Sequence, residues 1–352
     1  MGIVAGNDEV YSMVSNPSEQ DRLTQLKNAA GSGPVLILTH DNPDPDALAA
    51  GKALSTLLES AWNIPSRLLY SGLVLRAENR ALLDLLTHEW QPGDVPADLG
   101  PYSAVALVDT QPGAGNNRLP EDTIPQIVID HHHPTRELLE SVPFVDVQPD
   151  IGATVTLLDY YLEKAGIVPD PDLATAMFYG LKTDTRGLSR GTSPADIAAY
   201  VKLIEKIDHS KLVKIEQAGL PQAYFQAFSQ GLQAAQVYAQ SIVAYLGQMH
   251  RPDLAAEMAD LLIRLDKARA VLCLGVHDQT LHLSIRTEPL GKDAGLLVQQ
   301  VIVPPGKAGG HGTMAGGQVP LTGQTEERLA KAIVDRFLTI MGESGGGENL
   351  SN

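Results

Sequence analysis

Two residue types recur at spacings suited to divalent-metal chemistry. The stretch HDNPDPD places His40, Asp44 and Asp46 within one short segment. Asp109 follows a second apolar run, Asp130 and His131–His133 follow a third, and Asp184 stands in GLKTDT. Mixed carboxylate and imidazole donors suit a metal of intermediate hardness such as manganese. The single cysteine, Cys273, argues against a structural zinc cluster. Four carboxylates, Asp44, Asp46, Asp109 and Asp184, would formally offset two divalent ions. A metal pair about 3.5–4 Å apart can clamp a phosphoryl group for in-line attack.

The segments that must deliver these residues are short and apolar. PVLILT (34–39), SAVALV (103–108) and IPQIVI (124–129) are continuous runs rich in Val, Ile and Leu. Strands buried on both faces of a parallel sheet have this pattern. Helical spacing over 47–60 and 76–88, and helices across 151–205, complete an open α/β domain. In such folds the active crevice lies outside the carboxyl ends of the strands, where His40, Asp109 and His131 fall. Singly, each feature has a plain alternative. DNPDPD suits a turn, Asp109 suits a helix cap, and three consecutive histidines suit a surface loop. Their joint occurrence at strand ends favours the metal reading.

The second half changes character. Residues 241–247, 268–278 and 280–287 read as strands, with a hairpin at Asp278-Gln279. Helices are expected at 222–239, 292–302 and 324–341. The fold class is α/β: an N-terminal, mostly parallel sheet flanked by helices, then a smaller C-terminal α/β domain. The expected boundaries are 1–205 for the catalytic domain, 206–240 for a helical connector, 241–341 for the second domain and 342–352 for a flexible tail. The stretch KAGGHGTMAGG (307–317) reads as a Gly-rich loop whose backbone N–H groups could meet a phosphate, with Gly309, Gly310 and His311 as contacts. Arg286 is a further anion-binding candidate, with a surface salt bridge as the alternative, and Arg190 and Arg186, just past Asp184, could line the same cleft.

A net charge of −16 disfavours long nucleic acid as a partner. Aromatic residues at 5% leave little for a base-stacking track. A substrate of a few nucleotides fits both facts. The lone cysteine fits a reducing cytoplasm. The first 22 residues lack a signal-peptide pattern, and the Met-Gly start is a weak myristoylation pattern. No apolar stretch is long enough for a membrane span.

Together the motifs resemble those of the DHH phosphoesterases. HDNPDPDALAAG resembles the family's first motif, VALVDT the second, VIDHHHP the Asp-His-His motif and GLKTDT the fourth. KAGGHGTMAGG resembles the loop of the DHH-associated C-terminal domain. The resemblance spans about residues 30–340 and is of the oligoribonuclease and bisphosphate-nucleotide phosphatase type. It implies that His40, Asp44 and Asp109 hold one Mn2+ ion, with Mg2+ or Co2+ as substitutes. Asp46, Asp109, His131 and Asp184 would hold a second. Asp109, His131 and His132 would form the catalytic group, His132 would face the substrate phosphate, and Asp130 would orient the histidines from behind. His133 lies beyond the motif and reads as a loop residue. Ala49-Ala50 stand where the family usually has Gly-Ser, and TRGLSRGTSPAD after Asp184 departs from the oligoribonuclease pattern.

The activity implied is hydrolysis of short oligoribonucleotides, linear or cyclic dinucleotides, or adenosine 3',5'-bisphosphate, in a cleft between two domains. The family also carries the expectation of a homodimer. A pyrophosphatase or exopolyphosphatase shares the same metal core. An inactive nucleotide-binding regulator is the alternative of another class, and the intact ligand set argues against it.

Overall fold

The computed structural model describes residues 19–323 and 325–351. The expectations for the N-terminal segment fall largely on residues 1–18 and lie outside the described residues. The chain divides into two compact units between Ala218 and Gly219.

The first unit runs α1 (Glu19–Ala30), β1 (Val35–Leu38), α2 (Pro45–Trp62), β2 (Ser66–Tyr70), α3 (Ala77–Leu86), β3 (Gln91–Pro92), β4 (Ala104–Val108), β5 (Ile127–Asp130) and β6 (Phe144–Val147). The helices α4 (Thr154–Lys164), α5 (Pro171–Asp184), α6 (Pro194–Ile204) and α7 (His209–Glu216) follow. Its six strands lie in the order β3-β2-β1-β4-β5-β6, and every pairing is parallel. The order reverses between β1 and β4, which opens a crevice at their carboxyl ends.

The three apolar runs of the sequence are β1, β4 and β5. Alternate residues of each serve opposite faces. Val35, Ile37, Ala106, Val108 and Ile129 pack with residues of all six helices from α1 to α6. Leu36, Leu38, Val105, Leu107 and Val128 meet Leu119, Leu139 and Val142 from loops and a short 3-10 turn. Burial on both faces explains why the runs are continuous rather than alternating.

The second unit contains α8 (Gln222–Ala234), β7 (Gln236–Tyr238), β8 (Ser241–Gln248), α9 (Leu254–Leu262), β9 (Ala270–His277), β10 (Thr280–Thr287) and α10 (Ala294–Val301). It ends with β11 (Lys307–His311), β12 (Met314–Pro320), α11 (Glu326–Met341) and β13 (Glu348–Asn349). Its mixed sheet has the order β11-β12-β10-β9-β8-β7-β13, with β8 and β9 parallel. The core of one face takes its helical residues from α10 and α11, and that of the other from α9, with α8 packed against it. The hairpin at Asp278-Gln279 is present, with φ of 44° and 57°, as a two-residue turn requires.

Three expectations need correction. The stretch 206–240 is no single connector, because α7 packs on α3 and α5 while α8 packs on β8 and α9. The tail is not free throughout: Glu348 and Asn349 pair with β7. The Gly-rich stretch 307–317 is a β-hairpin rather than a loop, with Gly310 opposite Ala315. No helix among the described residues is long and apolar enough to cross a membrane.

Candidate metal centre

The carboxyl ends of β1, β4 and β5 and the last residue of α5 bring the six expected ligands together. His40 lies two residues beyond β1. Its Nδ1 is 3.0 Å from the carbonyl of Asp41, which aims Nε2 inward. Asn42, at φ 57°, fixes the loop by accepting from the N–H of Leu73. Asp44 is the N-cap of α2, accepting from the N–H of Ala47, and Pro45 begins the helix. Asp46 therefore sits in the first helical turn, fully buried. Its carboxylate accepts from the N–H groups of Thr154 at 2.6 Å and Val155 at 2.9 Å. Those donors are the free amine end of α4, where a negative charge is favoured.

Asp109 follows β4 directly and adopts φ 61°, a left-handed conformation that costs energy in a non-glycine residue. Its Oδ2 is 3.5 Å from His40 Nε2, and its Oδ1 is 3.6 Å from His131 Nε2. His131 Nε2 also lies 3.3 Å from Asp184 Oδ2 and 3.9 Å from Asp46 Oδ2. His131 Nδ1 meets the Ile151 carbonyl at 3.0 Å. Asp184 ends α5, where the helix's own negative end opposes it and a cation would be favoured.

Three groups of potential donor atoms result: His40, Asp44 and Asp109; Asp46, His131 and Asp184; and Asp109, His131 and His132. Asp109 belongs to two of them. Two buried atoms in the centre, Asp109 Oδ2 and His131 Nε2, have no hydrogen-bond partner among the described residues. Leaving a buried polar atom unpaired costs about 1–3 kcal/mol. Both face neighbouring donor atoms of a metal-ligand type, so the residues fit a divalent cation.

The electrostatics agree. Burial pushes the Asp46 carboxyl well above the usual carboxylate range, and repulsion from Asp109, Asp184 and Asp44 adds to it. Burial opposes charge on His40, but Asp109 and Asp44 outweigh it and raise its pKa to about 9. For His131 burial is outweighed by Asp184 and Asp109, giving about 10. The site is an excess of buried negative charge that draws protons onto imidazoles where no cation is present.

The profile described as "DHH family, N-terminal domain" matches residues 34–181, and that of the "DHHA1 domain" matches residues 239–340. A Methanocaldococcus jannaschii protein, described as uncharacterized protein MJ1633, is 34% identical over 336 residues, covering 90% of this chain and 68% of that protein. The chain belongs to the DHH phosphoesterase family. A further relative, the cyclic-di-AMP phosphodiesterase GdpP of Geobacillus thermodenitrificans, is 26% identical over 381 residues. That match covers 96% of this chain and 54% of GdpP, so the chain spans about half of that relative's length. An exopolyphosphatase-related protein of Bacteroides fragilis shares the DHH fold, with a TM-score of 0.73 at 15% identity, covering 92% of this chain and 97% of that one.

Asp130 is fully buried and lies 2.8 Å from His132 Nδ1, so it orients His132 but not His131. Burial works against its ionisation, yet the contacts from His132 and Gln111 hold its carboxyl below the usual range. Burial likewise opposes charge on His132, and Asp109 and Asp130 raise it to about 9. Arg190 is turned back on Asp184, donating through Nε and Nη2 to its carbonyl.

Arg286 is not presented as a free anion contact. It is 7% exposed and donates to Asp260 Oδ1 at 2.6 Å, to Ser284 Oγ and to the Ile285 carbonyl. Gly309, Gly310 and His311 lie on β11. Gly310 has a packing role of its own: with φ 145°, a Cβ there would stand 2.4 Å from the Cα of Ala315.

Sequence reasoning missed two supporting residues. Gln111 donates to Asp130 Oδ2 and to the His132 carbonyl, and its Oε1 accepts from the N–H of Arg136. Thr154 donates its hydroxyl to Asp109 Oδ1. Neither has a spacing that marks it, because each acts through a contact made only in the folded chain.

Proposed function

We propose that this DHH protein is a manganese-dependent, two-metal hydrolase of short oligoribonucleotides or dinucleotides, with adenosine 3',5'-bisphosphate as a further substrate. The observation that carries the reading is the pair of donor groups joined at Asp109, with Asp109 Oδ2 and His131 Nε2 buried and without a hydrogen-bond partner among the described residues. Bound divalent ions would supply Lewis acidity and an activated water to phosphoryl transfer. His40, Asp44 and Asp109 would hold one ion, and Asp46, Asp109, His131 and Asp184 the other.

The chain's own contribution is positioning. Asp130 holds His132 through Nδ1 and so fixes the orientation of a ring that would face the substrate phosphate. Asp46 is locked by two backbone donors before any cation binds, so little reorganisation is needed there. We assign Gly309, Gly310 and His311 to nucleotide binding, on the motif they form. Supporting a small substrate are the net charge of −16 and the few aromatic residues. The relative named as a cyclic-di-AMP phosphodiesterase makes linear and cyclic dinucleotides the first to test. We further infer cytoplasmic location and a homodimer.

The test is one manganese-supplemented panel of di- to pentaribonucleotides, linear and cyclic dinucleotides, adenosine 3',5'-bisphosphate and pyrophosphate. Turnover of the nucleotide members, lost on chelation, is expected. Cleavage of pyrophosphate alone would replace this reading with the pyrophosphatase one. Metal binding without any turnover would support a regulator.

A further inference from the structure

Thr154 is fully buried at the first turn of α4, and two of its groups reach two different ligand carboxylates. Its N–H donates to Asp46 Oδ2, and its hydroxyl donates to Asp109 Oδ1 at 2.7 Å. The N-cap of this helix is Ala153, which has no side-chain acceptor. Asp46, from α2, takes that part instead, accepting from the N–H groups of both Thr154 and Val155. The preceding turn is pinned as well. The buried Asp196 accepts from the N–H of Gly152 and from the hydroxyl of Thr156.

The Thr154 hydroxyl is thus not needed for capping. Thr154 is the first residue of α4, so no helical carbonyl lies one turn earlier to take its hydroxyl, which bonds Asp109. Asp109 has two oxygens with different surroundings. Oδ1 accepts from Thr154 and lies near His131 and His132. Oδ2 lies near His40 and has no hydrogen-bond partner among the described residues. Fixing one oxygen of a planar carboxylate fixes the direction of the other.

We infer that Thr154 is a positioning residue: its hydroxyl holds Asp109 Oδ1 so that Oδ2 is presented to the His40–Asp44 group. The inference rests on the two-metal reading above. Outer partners of metal ligands that fix their orientation typically contribute about 10–100-fold to metal affinity. The effect should fall on the ion held by His40, Asp44 and Asp109.

The experiment is a manganese titration of the full chain by calorimetry, with Thr154→Val, Thr154→Ala and Thr154→Ser beside the wild type. All three variants keep the backbone N–H that serves Asp46, and only Thr154→Ser keeps the hydroxyl. Thr154→Ala guards against a packing failure of Thr154→Val, and near-ultraviolet circular dichroism checks the fold of each. Two ions are expected on the wild type and on Thr154→Ser with similar affinities. In Thr154→Val and Thr154→Ala one ion should weaken by about 10–100-fold while the other changes little. Wild-type affinity for both ions in a folded Thr154→Ala or Thr154→Val would overturn the inference and leave the two-metal reading intact. Equal weakening in Thr154→Ser would also overturn it, since the hydroxyl would then not be the cause. A wild type that binds no ion would overturn both.

Discussion

Gly180 lies directly against the backbone of Asp46: a Cβ at Gly180 would stand 3.0 Å from the Asp46 Cα and 3.1 Å from the Pro45 carbonyl oxygen. Gly180 and Asp184 are four residues apart on α5, and so share one face of it. The absence of a side chain at Gly180 lets α5 approach the start of α2. That approach carries Asp184 to within 3.3 Å of His131.

Gly180→Ala should therefore weaken metal binding more than it weakens the fold. Alanine gains about 1 kcal/mol of helix propensity over glycine, which offsets part of the crowding. Gly180→Val adds a larger clash and should cost about 1–3 kcal/mol of stability as well. Urea denaturation and manganese titration of both variants check this. Unchanged metal affinity in Gly180→Val would show that the close contact does not set the position of Asp184.

Asp109→Asn should separate function from stability. Asparagine tolerates the left-handed backbone that Asp109 adopts at φ 61°. The substitution also removes the nearby charge that contributes most to the repulsion on Asp46. Turnover should fall on the order of a thousandfold or more. The chelated variant should remain folded, because the relief on Asp46 offsets the lost attraction to His40, His131 and His132. Near wild-type turnover would sink the assignment of Asp109 as the shared ligand.

Stability without metal should decline with rising pH. The pKa values of His40, His131 and His132 are raised to about 9, 10 and 9 in the folded chain, against about 6.5 when unfolded. Their contribution is fully present below about pH 6.5 and is lost as pH rises through about 9–10. The raised Asp46 acts in the same direction, because its charged form is disfavoured on folding. Thermal melts in chelator at pH 6.5, 7.5 and 9 should fall more steeply than melts with manganese. Parallel slopes with and without the ion would contradict the charge arrangement.

Arg286→Met should lower stability and leave KM unchanged. The guanidinium is buried and bonded to Asp260, Ser284 and the Ile285 carbonyl, so its loss removes a charged contact from a partly buried carboxylate, at a cost of about 2 kcal/mol. Denaturation and steady-state kinetics distinguish the outcomes. A KM rise with unchanged stability would restore Arg286 as a substrate contact.

Most of the candidate metal ligands are legible because they follow apolar runs whose strand character is local, while Asp184 follows an apolar helical run. His40, Asp109 and His131 stand just past β1, β4 and β5, where the chain leaves the sheet. β2 and β6 were missed: SRLLY begins with partly exposed polar residues, and FVDV alternates buried and half-buried positions across the central Asp146. Asp146 is held there by Arg22 and by the Tyr161 hydroxyl, contacts made far along the chain. The hairpin of β11 and β12 is hidden in the sequence because glycine lowers strand propensity. Its glycines answer instead to close packing, as where the Gly310 carbonyl oxygen would stand 2.1 Å from a Cβ at Gly295 on α10.

The order in which the chain supplies its ligands has a consequence during synthesis. His40, Asp44 and Asp46 leave the ribosome early, Asp109 and His131 later, and Asp184 last, near the end of α5. Until that helix docks, Asp46 and His131 lack their third donor. A divalent ion that binds only the finished arrangement pulls the first unit toward it by mass action. Cellular metal supply would then set not only the rate of the enzyme but the fraction of newly made chains that survive to become one.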